Sequence, residues 1–382
     1  MPLQWLVGEL RTGRVTGALP LVGAQWAMSM DDAGQLSGTA PLADAAVRAM
    51  RPLVSAEVGR CFLAAAWADP AGELTVLEAG PVWTHNLKGS ERSLRLGAAG
   101  LWSYYDHRKL VKVLDTFGGA AKATYEVGPV SLGTVAKRLV ELAHTHTAGE
   151  LPVVLPADVA GDVEREYPGT ELAWVGGKLR ELTQEDDGPE IAFVPRLAED
   201  SDGRFIEWVM ELGTPEEPWL TQGPQRDDWI WDASVPGGDV VDIDVQIDGT
   251  QLASRAWAAG ASSGEDRLIE YRDDPALTDL GWPLLETEVD GTDSIRSALQ
   301  LASRTRQAVT AARHPIQAWT IHTRPSAHPA PGMVRPGHWA RVVIGRDHDY
   351  LNRGEYRGRV VQVSGRDDES VSIQFQPAPG AV

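Results

Sequence analysis

The chain has 382 residues, 43% of them hydrophobic and 23% charged, which at ~100–200 residues per domain is material for two or three domains. A net charge of −19 argues against a protein that grips nucleic acid through a basic face, and the single cysteine, Cys61, excludes an intrachain disulfide framework and a multi-cysteine zinc site. No run approaches ~18 consecutive apolar residues and "MPLQWLVGELRTGR" lacks a signal-peptide pattern, so the sequence predicts a soluble chain made in a reducing cytoplasm, without membrane insertion.

In chain order, residues 1–118 read as strand and turn. "WLVGELRTGRVTGALPL" and "AQWAMSMDDAGQLSGTAPL" place turn residues between alternating apolar positions, as hairpins do. "PLADAAVRAMRPLV" has helical character, and "CFLAAAWAD" and "ELTVLEAGPVWTHNL" follow as strands. "LRLGAAGLWSYYDHRKLV" then runs from alternation into Gly97 and Gly100, and on into Trp102, Tyr104 and Tyr105 beside Asp106, His107 and Arg108. That stretch is either a pocket with a general base or the passage from a β domain into the next.

Residues 119–215 read as an α+β domain. Leu132, Val135, Leu139 and Leu142 recur at helical spacing with Ser131 as N-cap, and Val175, Leu179 and Leu182 repeat the pattern. "EIAFVPRL" and "RFIEWVMELG", joined by "AEDSDG", make a strand pair. Residues 216–382 read as a second β domain with a helical excursion at about 293–314. Here Val241, Ile243, Val245 and Ile247 alternate with Asp242, Asp244, Gln246 and Asp248, and Asp248-Gly249 signals a type I′ turn. "HWARVVIGR", "YRGRVVQVSG" and "VSIQFQP" close the chain as strands. The predicted class is thus β-rich α+β, with two small β-barrel-like domains flanking an α+β insertion.

Charge is uneven. Residues 180 to 249 hold 4 basic against 19 acidic residues, whereas residues 293 to 382 carry 12 arginines, no lysine and 7 acids. Such polarity fits either a solvated surface or a directed one that meets a partner or a passage.

Catalytic motifs are weak. "GASSG" centres Ser262 in a nucleophile-elbow pattern, but no oxyanion loop precedes it and its β-rich context favours a hairpin tip, which leaves a serine hydrolase as a distant alternative. His144 and His146 are a poor chelate at a helix end, and no phosphate loop or zinc-protease motif is present. No catalytic, cofactor or metal site is predicted. Fourteen tryptophans include Trp219, Trp229 and Trp231 in "PWLTQGPQRDDWIWD", candidates for core and interface packing or, alternatively, for a carbohydrate groove.

Taken in order, "SERSLRLGAAGLWSYYDHRKLV", "LPADVAG", "GGKLRELTQEDDGPEIAFVPRLAEDSDGRFIEWVMELGTP" and "RPGHWARVVIGRDHDYLNRGEYRGRVVQVSGRDDESVSIQFQP" resemble minor tail proteins of siphoviruses that infect actinobacteria. These are baseplate-hub or tail-associated proteins, similar to the hub protein of contractile-tailed phages. The resemblance covers roughly residues 75 to 380. It implies a non-enzymatic virion protein at the tail tip, made in the host bacterial cytoplasm. It further implies a homotrimeric ring that adapts a sixfold tube to a threefold tip and lets genomic DNA pass without specific binding. A distal tail protein, a tape-measure protein and other tail-tip proteins are the implied partners. Many relatives continue into a long C-terminal extension, whereas this sequence ends at Val382, which weakens an expectation of wall cutting or receptor binding. Under this resemblance Trp102, Tyr104 and Tyr105 are expected to pack the seam between the first two domains, and Asp242, Asp244 and Asp248 to line the channel. A carbohydrate-binding tail-tip protein is the alternative.

Overall fold

The computed structural model describes residues 3–112, 122–185, 187–223, 226–260, 267–289, 298–324, 326–345, 348, 350–367 and 370–377. They fall into two compact units, one of residues 1–243 with 320–375 and one of residues 244–319 with 376–381.

In the larger unit, β1 (Leu3–Glu9) and β2 (Val15–Ala18) form the first hairpin, and β3 (Val22–Ser29) and β4 (Gln35–Pro41) the second, with Trp26 opposite Leu36. The predicted helix after them is split into α1 (Ala45–Ala49) and α2 (Pro52–Ser55). Arg51, the residue before Pro52, stands between them in the left-handed region at φ +50. Strands β5 (Cys61–Ala68), β6 (Leu74–Lys88) and β7 (Ser93–Ala99) follow antiparallel to one another, and the chain turns at α3 (Trp102–Tyr105).

The α+β segment contains β8 (Thr124–Val130), α4 (Leu132–His144), β9 (Val153–Val154), β10 (Val163–Pro168), α5 (Val175–Thr183), β11 (Ile191–Asp200) and β12 (Gly203–Leu212). Ser131 caps α4 as its spacing predicts, its hydroxyl accepting from the Thr134 N–H at 3.2 Å. Strands β11 and β12 form the predicted pair, in register from Ile191↔Leu212 to Asp200↔Gly203, and β9 adds parallel to β12. One core joins this segment to the first strands. Leu6, Phe62, Ala64 and Val76 pack with Val135, Leu139, Leu179 and Trp208, and all eight are nearly inaccessible to solvent.

Next come β13 (Trp229–Asp232), β14 (Val240–Asp248), β15 (Arg255–Ala259), β16 (Ile269–Asp273), α6 (Ala276–Asp279), β17 (Glu286–Glu288), α7 (Ala298–Ala311), β18 (Ile316–Thr323), β19 (Trp339–Ile344), β20 (Gly354–Arg366) and β21 (Val371–Pro377). The 13-residue β20 decides the topology. Its first half pairs with β19 from Gly354 to Arg359, and its second half pairs with β3 from Gln362 to Arg366. The strands of the first and last regions therefore belong to one sheet, ordered β21-β20-β3-β4-β7-β6-β5-β1-β2 in this unit, and the described residues contain no closed barrel. The architecture is β-rich α+β.

In the smaller unit, β15 lies between β16 and β17. Ala256 and Ala258 on β15 are buried, and α7, which packs on β15 and β16, buries Leu301, Thr305 and Val309 at helical spacing. Trp257 and Tyr271 share the opposite sheet face, their rings 5.1 Å apart.

Candidate functional site

The stretch that ends β7 builds a buried corner. Gly100 donates its N–H to the Gly34 carbonyl at 2.8 Å, and a Cβ on Gly100 would stand 2.8 Å from the Gly34 nitrogen, so the chain passes there only without a side chain. α3 then directs Trp102 and Tyr105 inward. Trp102 meets the ring of Phe193 on β11 edge-on at 5.9 Å, and Tyr105 stacks on the same ring at 5.0 Å. Trp102 is 2% exposed and Tyr105 0%.

Polar groups close the corner. Tyr105 and His144 of α4 share a 3.0 Å hydrogen bond. Burial pushes the His144 imidazole down to about 4 and the Tyr105 phenol well above its ordinary value, so the phenol donates and the neutral ring accepts. The Tyr104 hydroxyl donates to the Gly149 carbonyl and accepts from Arg108, whose other arm reaches the Ala143 carbonyl near the end of α4. Arg180 of α5 forks onto Asp106 at 2.7 and 2.9 Å, donates to Asp32 at 2.6 Å, and lies over the Trp102 ring. His107 stacks on Trp83 at 4.3 Å. Asp106, His107 and Arg108 thus each hold a partner that fixes the corner.

Three acidic side chains lie near it. Glu78 lies in the apolar run of β6, 6% exposed, with Oε1 accepting from the Ala79 N–H at 2.9 Å. Burial raises its carboxyl to about 8, against the lowering effects of that bond and of Arg335. The carboxyl borders a cavity of about 50 Å³ that Trp102, Phe193 and Arg335 also line. Nearby, Glu190 accepts from Arg359 of β20 at 2.8 Å and from the Leu220 N–H at 2.7 Å, and Arg359 also donates to the Gly337 and Leu220 carbonyls. Asp31, held up to about 6 by burial, accepts from the Ile191 N–H at 2.8 Å.

The remaining predicted residues are distributed as follows. Asp242 and Asp244 are exposed on β14 and Asp248 is half-buried at its end. Of the apolar residues on the other face only Ile243 is buried, while Val241 and Ile247 are 62% and 61% exposed. The turn after β14 is not type I′, since Gly249 is outside the left-handed region. The Asp248 carboxylate builds the turn instead, accepting from the Thr250 N–H and hydroxyl, and those bonds hold its own titration below the usual carboxylate range. Trp219 is 54% exposed and Trp231 is core at 1%. Trp229 donates to Nδ1 of His338, whose ring burial lowers to about 4. Ser262 lies outside the described residues. Among the described residues no cluster of three or more His, Cys, Asp or Glu side chains is arranged to hold a metal ion, and no helix is long and apolar enough to cross a membrane. Sequence reasoning missed Phe193, Arg180, Glu190, Arg359 and Glu78. Only Glu78 carried a local signal, an acid inside an apolar strand.

No family model matches the chain and no curated protein resembles it in sequence. Solved structures do share its fold. A tail protein from Neisseria meningitidis MC58 aligns over 100% of this chain and 98% of its own, with a TM-score of 0.56 and 13% identity. The 43 kDa tail protein of prophage MuSo2 from Shewanella oneidensis aligns over 99% of each chain, with a TM-score of 0.56 and 12% identity. Prophage tail protein gp18 from Listeria monocytogenes EGD-e gives 0.50 and 9% over 98% of this chain and 94% of its own. The shared property is the fold, which is that of phage tail proteins.

Proposed function

We propose that the chain is a structural, non-enzymatic component of a phage tail tip, a hub of three copies in a ring that joins the sixfold tail tube to a threefold tip. The observation that carries this reading is the end-to-end correspondence of fold with the Neisseria and Shewanella tail proteins, over 98–100% of both chains. The corner at Trp102, Tyr104 and Tyr105 supports it as the packed seam a load-transmitting ring needs. The acidic strand supports it too, because a negative wall lets DNA slide where each Lys or Arg contact would bind phosphate. In this reading Asp242, Asp244 and Asp248 face the DNA path, Trp219 and Trp229 lie at contacts with other chains, and the neighbours are a distal tail protein and a tape-measure protein of an actinobacterial siphovirus. Reconstruction of the virion tail tip tests it: three copies around the tube axis are expected, and six copies, one copy, or absence of the chain from the particle would overturn it.

A further inference from the structure

The larger unit carries a groove of about 760 Å³ on one face of its main sheet, separate from the corner around Phe193. The strands that floor it, β3, β4, β7 and β20, alternate in the ordinary way. Trp26, Leu36, Ala98 and Val363 point into the core, and Gln25, Gln35, Ser37, Gln362 and Ser364 point the other way. Gly97 and the Ala27 and Ala99 methyls keep the floor low, and Trp83, stacked on His107, walls one side.

The chemistry of this face departs from that of the rest of the chain. A solvated sheet face in a protein of charge −19 would be expected to carry carboxylates. Among the described residues lining the groove none is acidic, and Arg366 is the only Lys or Arg. Three primary amides, on Gln25, Gln35 and Gln362, make no hydrogen bond to any described residue, although each offers two donors and an acceptor. The Ser372 hydroxyl and Nδ1 of His322 add a coupled donor–acceptor pair at 3.1 Å.

We infer that this groove binds a neutral oligosaccharide. Its volume lies within the ~300–1,000 Å³ of small-ligand sites. A sugar brings hydroxyls that both donate and accept, which matches the amides and hydroxyls of the described lining. Its C–H face suits an indole wall such as Trp83. An extended peptide is the poorer match. Peptides that dock on sheets pair with a free strand edge, and β3, β4, β7 and β20 are each paired on both sides. The inference rests on the groove alone and stands or falls independently of the hub reading.

The full-length protein would be screened against an immobilised panel of neutral oligosaccharides, and the best ligand titrated by calorimetry. One or more should bind, and Gln362→Ala and Gln25→Ala should each weaken binding at least fivefold without moving the unfolding midpoint. Trp257→Ala, on the aromatic face of the smaller unit, should leave it unchanged. Three results would overturn the inference: no neutral oligosaccharide binding, binding abolished by Trp257→Ala but not by the groove variants, or binding confined to acidic sugars such as trigalacturonate and lost in Arg366→Gln. Direct binding of an extended peptide, with the glycan screen blank, would assign the groove to a protein partner instead.

Discussion

Trp102→Ala is the most direct perturbation of the corner. The indole is 2% exposed, so almost its whole surface left water on folding. An aromatic side chain of this kind buries roughly 150–250 Å², worth about 4–6 kcal/mol at ~25 cal/mol/Å². Set against that, its Nε1–H is buried without a hydrogen-bond partner among the described residues, which costs about 1–3 kcal/mol. The alanine variant loses the packing against Phe193 and Arg180 and leaves a cavity, but it also sheds the orphaned donor. The expected loss is about 3 kcal/mol, at the low end of measured Trp→Ala changes. Trp102→Phe keeps an aromatic edge for Phe193 and removes the donor, so its cost should stay within about 1 kcal/mol. Urea unfolding followed by circular dichroism distinguishes them without relying on the tryptophan signal that the substitution removes. A Trp102→Ala midpoint equal to the parent's would refute the seam. A Trp102→Phe loss as large as the alanine one would refute the argument that the buried indole N–H is a cost.

Three further expectations follow from the same geometry. Glu78 has its carboxyl raised to about 8, so the folded state holds a proton that the unfolded chain releases near the ordinary carboxylate value; its contribution is full below about 4.5 and drains away as pH rises toward 8, at up to about 1.4 kcal/mol per pH unit. Glu78→Gln should flatten that part of a stability–pH curve, and a slope unchanged from the parent's would show that the carboxyl ionises freely. Arg359→Ala leaves the Glu190 carboxylate buried without its guanidinium and should cost about 3–5 kcal/mol in urea unfolding, with Glu190→Gln in the same chain recovering part of it; a loss under about 1 kcal/mol would contradict this. Replacing Asp242, Asp244 and Asp248 together by Lys should leave tails assembled and slow DNA ejection, more so at low salt, and normal ejection kinetics would end the channel proposal.

The sequence announces whatever is local. The Ser131 cap, the β11–β12 pair and the N-terminal hairpins depend on residues a few positions apart, and periodicity with turn chemistry is enough to find them. The joining of the first and last strands is of another kind. Val363 lies opposite Met28 across β20 and β3, and no local pattern in either strand specifies that partner. The same holds for Phe193 under Trp102 and for Arg359 on Glu190, where each side chain alone looks like an ordinary strand residue. The Asp248-Gly249 turn shows a subtler limit. The dipeptide was the right place for a turn, but the Asp248 side chain supplies its hydrogen bonds, and a hairpin rule that counts only backbone types cannot see that.

The acidic strand carries this reasoning furthest. Alternation along β14 assigns its acids to one face and its aliphatic residues to the other, and the usual inference is that the aliphatic face is core. Only Ile243 obeys, because burial depends on what lies over a strand and not on the strand's own pattern. Val241 and Ile247 are left 62% and 61% exposed, two large aliphatic side chains on the same strand. On the hub proposal they are aliphatic surface that a neighbouring chain covers while the acids opposite stay wet. In that proposal ring assembly would supply the burial that the alternation foretells.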